Sequence, residues 1–523
     1  MPDLLFKILY LAAFAVNAAV QAVYFVHMLQ LNSYRPERYR KWCLENSARL
    51  LTPRRWLAAF LSCVFPLLLG MRLGMGIAAA LLILQVFLNL PQKAKKPLVV
   101  TARVRRLFVT LGILTAAVAV LLWFLLDGVA CVLGLILLFV YSALTWLWVW
   151  AANGLNRPME NAISRHYVED ARKKLLSMND LTVIGITGSY GKTSTKNFLH
   201  ALLSVKYNVL MTPESYNTTM GVVRTIRERL NPTHKLFIAE MGAKNPGDIK
   251  EICDLVHPRY GIITSVGEMH LETFKTIDNV LRTKFELADA LPADGAAFLN
   301  VDNALIRSRP VTNTAVVTYG VETASGAAYT ASDIAVDAGG SRFIVTAPGG
   351  ETREFTTKLL GAHNIQNLVG CIAVAHTLGI SLEELVYPVR MLRPVPHRLQ
   401  LLPNGFIDDA YNSNPAGFRA ALEVLRGFAG QRVLVTPGMV ELGDRQEALN
   451  RELGGYAADC CDYAVLVGEK QAPPLYEGLT AAGFPTERIK VAKTLQEGLA
   501  WVGGLPFDPG RTVLLENDLP DNF

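Results

Sequence analysis

The sequence predicts an α-helical transmembrane domain followed by an α/β region, and three observations lead to this prediction. Hydrophobic residues make up 51% of the 523 residues, and nearly all of the excess over a soluble chain lies before residue 151. From residue 181 onward, short apolar strands alternate with helical stretches, which is typical of a parallel sheet. A glycine-rich turn, TGSYGKTST, directly follows the first of these strands.

Five apolar stretches form the predicted membrane domain, residues 1–150. A span needs about 20 residues, so the second stretch is short, and residues 56–90 could alternatively form one long segment. Two loops rich in lysine and arginine, 32–55 and 91–106, favour five spans, since both lie on the cytoplasmic side only if two spans separate them. The five stretches cover residues 4–29, 56–71, 73–90, 107–126 and 129–150.

The glycines between the second and third stretches fit a turn between two spans. Gly70, Gly74 and Gly76 surround Arg72 at this point. The predicted topology places the N-terminus outside the cell and everything after Trp150 in the cytosol. The chain would therefore be a multi-pass protein of the cell membrane.

The charge distribution and the cysteine content argue against nucleic-acid binding and against a zinc site. The net charge is +6, and much of the basic charge lies in the two loops, which indicates membrane orientation rather than nucleic-acid binding. The seven cysteines form no CxxC pair. We therefore expect reduced thiols rather than a zinc site, and no nucleic-acid partner.

The remaining chain divides into a polar linker helix at 151–180, a central α/β domain at 181–395 and a second α/β domain at 396–523. Residues 313–358 are rich in Thr, Val, Ala and Gly and predict antiparallel strands at the edge of the central domain. The other predicted strands are 181–187, 235–241, 260–266 and 295–301 in the central domain, and 433–437 and 463–468 in the second.

The glycine turn predicts a phosphate-binding loop. A strand precedes it and a helix from Lys192 to about Leu203 follows, so backbone N–H groups and a helix N-terminus would face an anion. Lys192 would pair with β- and γ-phosphate oxygens, and the Thr193 hydroxyl would bind Mg²⁺.

The common P-loop pattern would place its first glycine at Ile186, whereas this chain has it at Gly188. These features predict a P-loop ATPase domain, although motors, kinases and transporters all use such loops.

Acidic and imidazole residues follow the next two strands. Glu240 lies at the end of the strand in KLFIAEM, and His270 follows YGIITSV. With Thr193 they are three oxygen or nitrogen ligands at the carboxyl ends of strands, where a parallel sheet places its site. Mg²⁺ prefers such oxygen-rich surroundings around substrate phosphates. Lys284, taken alone, would be interpreted as charge on a helix surface.

Eight segments resemble, in order, the motif series of the Mur ligases, and most closely the MurF branch, which adds D-Ala-D-Ala to the UDP-muramoyl tripeptide. The resemblance covers about residues 180–470. It accounts for the glycine spacing, since Mur-type loops run T-G-x-x-G-K-T. It implies a Mur-type central ATP-binding domain and a Rossmann-like, Mur-type C-terminal domain. The segments are TGSYGKTST, SYNTTMGV (215–222), EMGAKNPGDI (240–249), SVGEMHLETF (265–274), LRTKFEL around Lys284, GAHNIQNLVG (361–370), PVPHRLQ (394–400) and DDAYNSNP (408–415).

The resemblance implies two Mg²⁺ ions and a modified lysine. Thr193 and Glu240 would hold one ion, and His270 would hold the second. Lys284 matches the family's carbamylated lysine, whose carbamate bridges to the second ion. The catalytic residues would be Lys192, Lys284, His270 and Arg398.

The resemblance also implies the contacts to ATP and to the acceptor. The phosphates of ATP would be wrapped by the loop from Gly188 to Ser194. The loop residues are Gly188, Ser189, Tyr190, Gly191, Lys192, Thr193 and Ser194. Asn364 and Asn367 would approach adenine, Arg398 the γ-phosphate and Asp409 the ribose, while Asn217, Thr218, Tyr411, Asn412 and Asn414 would face the substrate.

The reaction implied by the resemblance is ATP-dependent amide formation in peptidoglycan precursor synthesis, with the catalytic domains in the cytoplasm. A substrate carboxylate would attack the γ-phosphate of ATP, giving an acyl phosphate and ADP, and an amino group would then displace phosphate. The implied partners are a muropeptide or lipid-linked cell-wall precursor, an amino acid or dipeptide amine, and the lipid bilayer.

Both ends of the chain depart from the MurF pattern. MurF enzymes have an N-terminal domain that grips the UDP part of the substrate, whereas residues 1–150 predict membrane spans. The chain closes with LLENDLPDNF, where MurF enzymes carry a Lys-Gly-Ser-Arg-Gly type segment near the incoming amine. Two alternatives stay open: a poly-γ-glutamate synthetase-like ligase of the same superfamily, and an ATP-driven membrane transporter.

Overall fold

The computed structural model describes the chain in two compact units, which are formed by Met1–Arg165 and His166–Leu519. The boundary falls inside the predicted linker. The described residues are 2–47, 53–88, 97–127, 130–269, 271–322, 326–337, 339–411, 413–440 and 442–518.

The first unit is helical. Two of its described helices are long and apolar enough to cross a membrane, over Leu4–Leu31 and Ala102–Leu125, and a bent pair could supply a third span. Two further apolar segments, Trp56–Leu68 and Arg72–Leu88, are shorter. The helices are α1 (Pro2–Leu31), α2 (Pro36–Glu45), α3 (Pro53–Leu68), α4 (Met71–Leu88), α5 (Ala102–Leu125), α6 (Cys131–Ala143) and α7 (Thr145–Leu176), which continues into the second unit.

The described part of the stretch 56–90, up to residue 88, forms a helical hairpin rather than one long helix. α3 ends at Leu68, and Gly70 adopts a φ of +76° before α4 begins, a conformation that glycine adopts at little cost. A Cβ at Gly74 would lie 2.2 Å from the carbonyl oxygen of Phe65. Glycine at this position therefore allows the two backbones to come into contact. The number of membrane spans stays a prediction, because helix length and composition do not test topology.

The bent pair consists of α6 and α7, whose axes differ by 78°. The bend lies within the predicted fifth stretch, 129–150. Beyond the bend, α7 is continuous through most of the predicted linker. Its last turns place Tyr167, Val168 and Leu175 against a core of the second unit.

A nine-stranded sheet organises the first part of the second unit, in the order β2-β3-β1-β4-β5-β6-β7-β8-β9. The predicted parallel sheet is confirmed, because every pairing from β2 to β7 is parallel. The strands are β1 (Thr182–Thr187), β2 (Val209–Met211), β3 (Leu236–Glu240), β4 (Tyr260–Ile263), β5 (Ala296–Asn300), β6 (Ala315–Gly320), β7 (Tyr329–Asp337), β8 (Gly340–Thr346) and β9 (Thr352–Thr357).

The prediction of antiparallel strands over 313–358 is correct for β8 and β9 and wrong for β6, while β7 is parallel to β6 on one side and antiparallel to β8 on the other. β6 pairs in parallel with β5, with Ala315 opposite Ala296. The connection between them contains the short helix Ala304–Arg307, which gives the crossover that parallel neighbours require. β8 is antiparallel to both β7 and β9.

Helices cover both faces of this sheet, so its central strand is buried on both sides. Ile184 and Ile186 of β1 face one core together with Phe198, whereas Val183 faces the other core together with Phe285. The helices are α8 (Lys192–Leu203), α9 (Thr219–Arg229), α10 (Asp248–Val256), α11 (Leu271–Phe274), α12 (Ile277–Asp289), α13 (Ala304–Arg307), α14 (Ala362–Thr377) and α15 (Leu382–Met391).

A second, six-stranded sheet follows in the order β10-β11-β15-β12-β13-β14. Only the β10–β11 pair is antiparallel among the described pairings. The strands are β10 (Gln400–Leu401), β11 (Phe406–Asp409), β12 (Arg432–Thr436), β13 (Tyr463–Val467), β14 (Ile489–Ala492) and β15 (Thr512–Glu516), with helices α16 (Pro415–Arg426), α17 (Gln446–Ala457), α18 (Ala472–Ala481) and α19 (Leu495–Gly503).

Candidate active site

The predicted phosphate loop lies between β1 and α8, and glycine is needed at two of its positions. Gly188 has a φ of +150° and Gly191 a φ of +82°. A Cβ at Gly188 would lie 2.0 Å from Thr264 Oγ1, and one at Gly191 would lie 2.6 Å from Asn367 Oδ1. Both the backbone conformation and the neighbouring atoms therefore exclude larger residues.

The segment after β4 holds the loop in shape. Ser189 N donates to Ser265 O at 2.8 Å, and Tyr190 N donates to Ser265 Oγ at 2.8 Å. The Tyr190 hydroxyl donates to Glu268 O at 2.7 Å. Residues 264–268, which directly precede His270 in the sequence, are thus fixed against the loop.

Lys192, the first residue of α8, folds back over this loop. Its Nζ donates to Gly188 O at 2.7 Å and to Ser189 O at 3.1 Å. Burial lowers the pKa of Lys192 to about 8; Arg398 contributes in the same direction and Glu240 opposes it. An approaching phosphate would replace the two carbonyl partners with charged oxygens and restore the ordinary pKa.

Glu240, at the end of β3, gathers the neighbouring polar groups. Its Oε1 accepts from Thr193 Oγ1 at 3.2 Å and from Asn217 Nδ2 at 3.1 Å. Its Oε2 lies 2.9 Å from Lys196 Nζ, and both side chains are 1% exposed. Burial alone would raise the pKa of Glu240, but Lys196 and Lys192 together lower it below its ordinary value. The carboxylate is therefore ionised and adjacent to the Thr193 hydroxyl.

Lys284 lies on α12 and is buried, so the interpretation of this residue as helix-surface charge is wrong. It is 3% exposed. Burial lowers its pKa well below the ordinary value, and Lys192 lowers it further, while Asp248 and Glu286 act in the opposite direction. Within the described part of the chain, no carboxylate forms an ion pair with Lys284 Nζ. Burial therefore favours the neutral form of the Lys284 amine.

Two of the predicted site residues, His270 and Asn412, lie outside the described residues. In the described part of the chain, no three His, Cys, Asp or Glu side chains cluster closely enough to hold a metal ion. The structure brings together the two predicted ligands of the first Mg²⁺, Thr193 and Glu240. The second predicted site, formed by His270 and a carbamate on Lys284, stays a prediction.

The two predicted adenine contacts lie on α14. Asn367 packs against Gly191 of the loop. Asn364 Nδ2 donates to Leu360 O at 2.8 Å, and both asparagines are at most 7% exposed. His363 lies beside them; burial lowers its pKa to about 4, so its imidazole is neutral.

The predicted residues of the second sheet lie at the carboxyl end of β11. The Arg398 guanidinium lies 4.4 Å from the centroid of the Tyr411 ring, and the Tyr411 hydroxyl is hydrogen-bonded to Ser215 Oγ. Asp409 Oδ1 accepts from Leu399 N at 3.0 Å. This loop therefore contacts the segment that contains Asn217.

Two of the predicted substrate residues are helix N-caps in this structure. Thr218 Oγ1 accepts from Gly221 N at 3.3 Å at the start of α9. Asn414 Oδ1 accepts from Gly417 N at 2.8 Å at the start of α16. Both caps stabilise the helices beside the site, and their roles toward a substrate stay predictions.

Sequence reasoning missed three residues of this region. Lys196 was overlooked because a lysine in a helix is usually exposed. Its position one helical turn after Lys192, on the same face of the helix, was the signal that could have identified it. Ser265 belongs to a segment in which only the acidic and imidazole residues were considered. Glu516 ends β15, a strand that the sequence analysis did not predict, and only its apolar run TVLL indicates a strand.

The glycine conformations, the partly buried Lys192 over the loop and the hydroxyl–carboxylate pair together fit a nucleotide phosphate chain with Mg²⁺. Comparison with known proteins agrees with this geometry. Residues 186–375 match the Mur ligase middle domain, and residues 397–515 match the Mur ligase, glutamate ligase domain. The UDP-N-acetylmuramoyl-tripeptide--D-alanyl-D-alanine ligase of Escherichia coli K12 is 31% identical over 60% of this chain and 72% of its own length.

The chain belongs to the Mur ligase family. The corresponding enzyme of Bacillus subtilis is also 31% identical, over 52% of this chain and 59% of its own length. Mur ligases of this kind are ATP-dependent and form amide bonds, so this Mur ligase is an enzyme of that class.

Solved structures support the same assignment. MurF from Acinetobacter baumannii superposes with a TM-score of 0.60 at 28% identity, covering 67% of this chain and 76% of that chain. MurF from Thermotoga maritima in complex with ADP gives a TM-score of 0.61 at 26% identity, over 68% and 80% of the two chains. The two family matches begin after residue 185, so the helical first unit of this Mur ligase lies outside them.

Proposed function

We propose that this Mur ligase is a membrane-anchored, ATP-dependent ligase of cell-wall precursor synthesis that resembles MurF and acts through an acyl phosphate. The observation that carries the proposal is the convergence of Lys192, Thr193 and Glu240 at the glycine loop. The names of the relatives support peptidoglycan precursors as the substrates. The apolar helices of the first unit support the anchor.

The first step would transfer the γ-phosphoryl group of ATP to a substrate carboxylate. Backbone N–H groups of the loop and the N-terminus of α8 would hold the phosphates. Lys192 and Arg398 would neutralise the charge that spreads over the transferred group, because phosphoryl transfer depends mainly on positioning and charge stabilisation. Mg²⁺, when bound by Thr193 and Glu240, would supply further charge neutralisation.

Lys284 would contribute in its carbamylated form. Its neutral, buried amine is the form that attacks CO₂; a C–N bond forms, and a proton leaves as the carbamate anion appears. Carbamylation would convert this neutral amine into an anionic oxygen ligand for a second Mg²⁺, together with His270. The burial of the Lys284 amine, which has no ion-paired carboxylate among the described residues, supports this role.

The second step would form the amide. An amino group attacks the acyl carbon, the C–O bond to phosphate breaks, and inorganic phosphate leaves. Asn217 and Tyr411 would face the two reactants; Asn217 donates to Glu240, and Tyr411 is hydrogen-bonded to Ser215, in the same segment as Asn217. The first unit would give the enzyme access to a lipid-linked or membrane-proximal acceptor, in place of a domain that recognises UDP.

The test uses the purified full chain in detergent with ATP, Mg²⁺ and D-Ala-D-Ala. UDP-muramoyl tripeptide and a lipid-linked precursor are compared as acceptors, and products are identified by mass spectrometry. We expect ligation that depends on an acceptor, with preference for the lipid-linked form. Equal or better use of the soluble acceptor would contradict the acceptor hypothesis, and ATP hydrolysis that needs no acceptor would favour a transporter instead.

Glutamate is a second candidate amine, because the C-terminal match is to a glutamate ligase domain. ADP release with D-Ala-D-Ala or with glutamate separates a MurF-like enzyme from a poly-γ-glutamate synthetase-like one. Lys192→Met serves as the inactive variant. Lys235→Ala, which removes an exposed lysine paired with Asp180, serves as the control and should retain full activity.

A further inference from the structure

Asp409 and Glu516 form a carboxyl pair at the edge of the second sheet. β11 and β15 are parallel neighbours, and their register places Asp409 opposite Glu516. In-register neighbours on parallel strands point to the same face, so the pairing of the two strands brings the Asp409 and Glu516 side chains next to each other. Each residue is the last of its strand. The pair therefore lies at the carboxyl edge, where α/β sheets bind ligands.

Glu516 is the more deeply buried partner, with 1% of its surface exposed. Its Oε1 accepts from Ser413 Oγ at 2.6 Å. No N–H or O–H group of the described residues donates to Oε2. A buried carboxylate oxygen without a donor is costly, and a proton held between the two carboxyl groups removes that cost.

The charged groups around the pair do not neutralise both acids. Burial raises the pKa of Asp409 to about 6, which Arg398 and the Leu399 N–H oppose and Asp408 reinforces. Asp408 is itself paired with His397, with Nδ1 2.7 Å from Oδ2. Burial and the charge of Asp409 raise the pKa of Glu516 well above its ordinary value. Both shifts oppose ionisation of both acids at once, and they favour a state in which the pair retains one proton.

We propose that Glu516 is a positioning residue, which shares one proton with Asp409 through an O–H···O hydrogen bond and fixes the orientation of the Asp409 carboxyl group. With Oδ1 held by Leu399 N and the shared proton held by Glu516, the Asp409 group has one orientation toward the nucleotide. The role of Asp409 toward the ribose rests on the proposed function. The proton shared by Asp409 and Glu516 does not depend on that function.

The shared proton is tested by pH-difference infrared spectroscopy of the full chain in detergent. A protonated carboxyl group has a C=O stretch that a carboxylate lacks. We expect this band in the wild-type protein at pH 7 and its loss in Glu516→Gln, whose amide donates to Asp409 and leaves it ionised. Glu477→Gln, the same change at an exposed residue of α18, should retain the band. A wild-type protein without the band, or a Glu516→Gln variant that keeps it, would overturn the proposal.

The positioning role is tested by the affinity for a non-hydrolysable ATP analogue between pH 5.5 and pH 8.5. We expect Glu516→Gln to weaken binding by about tenfold, the worth of one oriented hydrogen bond, and to flatten its pH dependence. The kcat at saturating ATP should change little. An unchanged affinity and pH profile would contradict the positioning role. Nucleotide binding and infrared spectra can be measured without an acceptor. They therefore test the role of Glu516 even if the protein shows no ligation.

A second variant covers the case in which Glu516→Gln does not fold, as judged by circular dichroism. Ser413→Ala removes the donor to Glu516 Oε1 and so favours the protonated form of Glu516. The infrared band should then persist to a higher pH than in the wild-type protein. A band with an unchanged pH range would count against the shared proton.

Discussion

The Glu240 carboxylate organises the charges beside the phosphate loop. One of its oxygens accepts from Thr193 and Asn217, and the other is paired with Lys196. Because both members of the Glu240–Lys196 pair are buried, removing one of them leaves the charge of the other without its partner. Glu240 thus serves the fold as well as the predicted Mg²⁺ site.

Glu240→Gln should destabilise the P-loop domain by about 3 to 5 kcal/mol, because it leaves the Lys196 ammonium buried and unpaired. Thermal unfolding followed by near-UV circular dichroism would measure this. The control is Glu228→Gln, at an exposed residue paired with Arg224, which should change stability by at most about 0.5 kcal/mol. Equal shifts in the two variants would show that the buried pair contributes nothing specific.

Lys284→Ala should reduce ligation by about 100-fold or more, since it would remove a charged ligand at the reacting phosphate. Short-chain carboxylates should restore part of the activity by replacing the carbamate oxygens. Lys250→Ala removes an exposed lysine that is paired with Asp254, and it should have no effect. Undiminished ligation by Lys284→Ala would refute the carbamate role.

At the scale of elements, the loop between β1 and α8 depends on backbone conformation more than on side chains. Gly191 and Gly188 both have positive φ values, and the segment after β4 fixes the turn through Ser265. The sequence predicted the loop and its helix. It did not predict the support from Ser265, because a serine after a strand carries no distinguishing pattern.

Gly191→Ala should weaken ATP binding by about tenfold or more. An alanine in the left-handed region costs about 1 to 2 kcal/mol, and its Cβ would clash with Asn367. Isothermal titration calorimetry gives the affinity. Gly455→Ala, in α17, places a Cβ 3.6 Å from Gly478 O, an ordinary contact, and should leave binding unchanged. If both variants bind ATP equally well, the loop does not require glycine at Gly191.

The hairpin of α3 and α4 gives a prediction for the first unit. Gly74→Ala should destabilise the first unit by about 1 to 3 kcal/mol, the usual cost of overpacking. The reason is that the Cβ of the new alanine would clash with the Phe65 backbone. Gly112→Ala, in α5, has no described atom within 4 Å of the new Cβ and should be tolerated. Thermal stability in detergent distinguishes them, and an equally stable Gly74→Ala variant would argue against the close approach of α3 and α4.

At the scale of the whole molecule, the predicted topology places the ligase domains in the cytosol, where ATP is available. A C-terminal fusion to green fluorescent protein should therefore fluoresce, and a C-terminal fusion to alkaline phosphatase should be inactive. A cysteine introduced at the N-terminus should react with a membrane-impermeant reagent in intact cells. An active phosphatase fusion would reverse the predicted orientation, which rests on the basic loops.

The sequence by itself determined the division into a helical first part and α/β domains, the phosphate loop and the family resemblance. Buried parallel strands are continuous apolar runs, and the loop has a fixed residue order, so both can be found without a structure. Sequence alone predicted β1, β3, β4, β5, β12 and β13 near their observed limits.

Only the tertiary structure decided which polar residues are buried and which partners they meet. Lys284 and Lys196 lie in helices and look like surface lysines in the sequence, yet both are inside the protein. Asp409 and Glu516 are more than a hundred residues apart and become neighbours because β11 and β15 pair in register. Burial and strand pairing depend on contacts between distant segments, and these set the charge states on which the chemistry of the site depends.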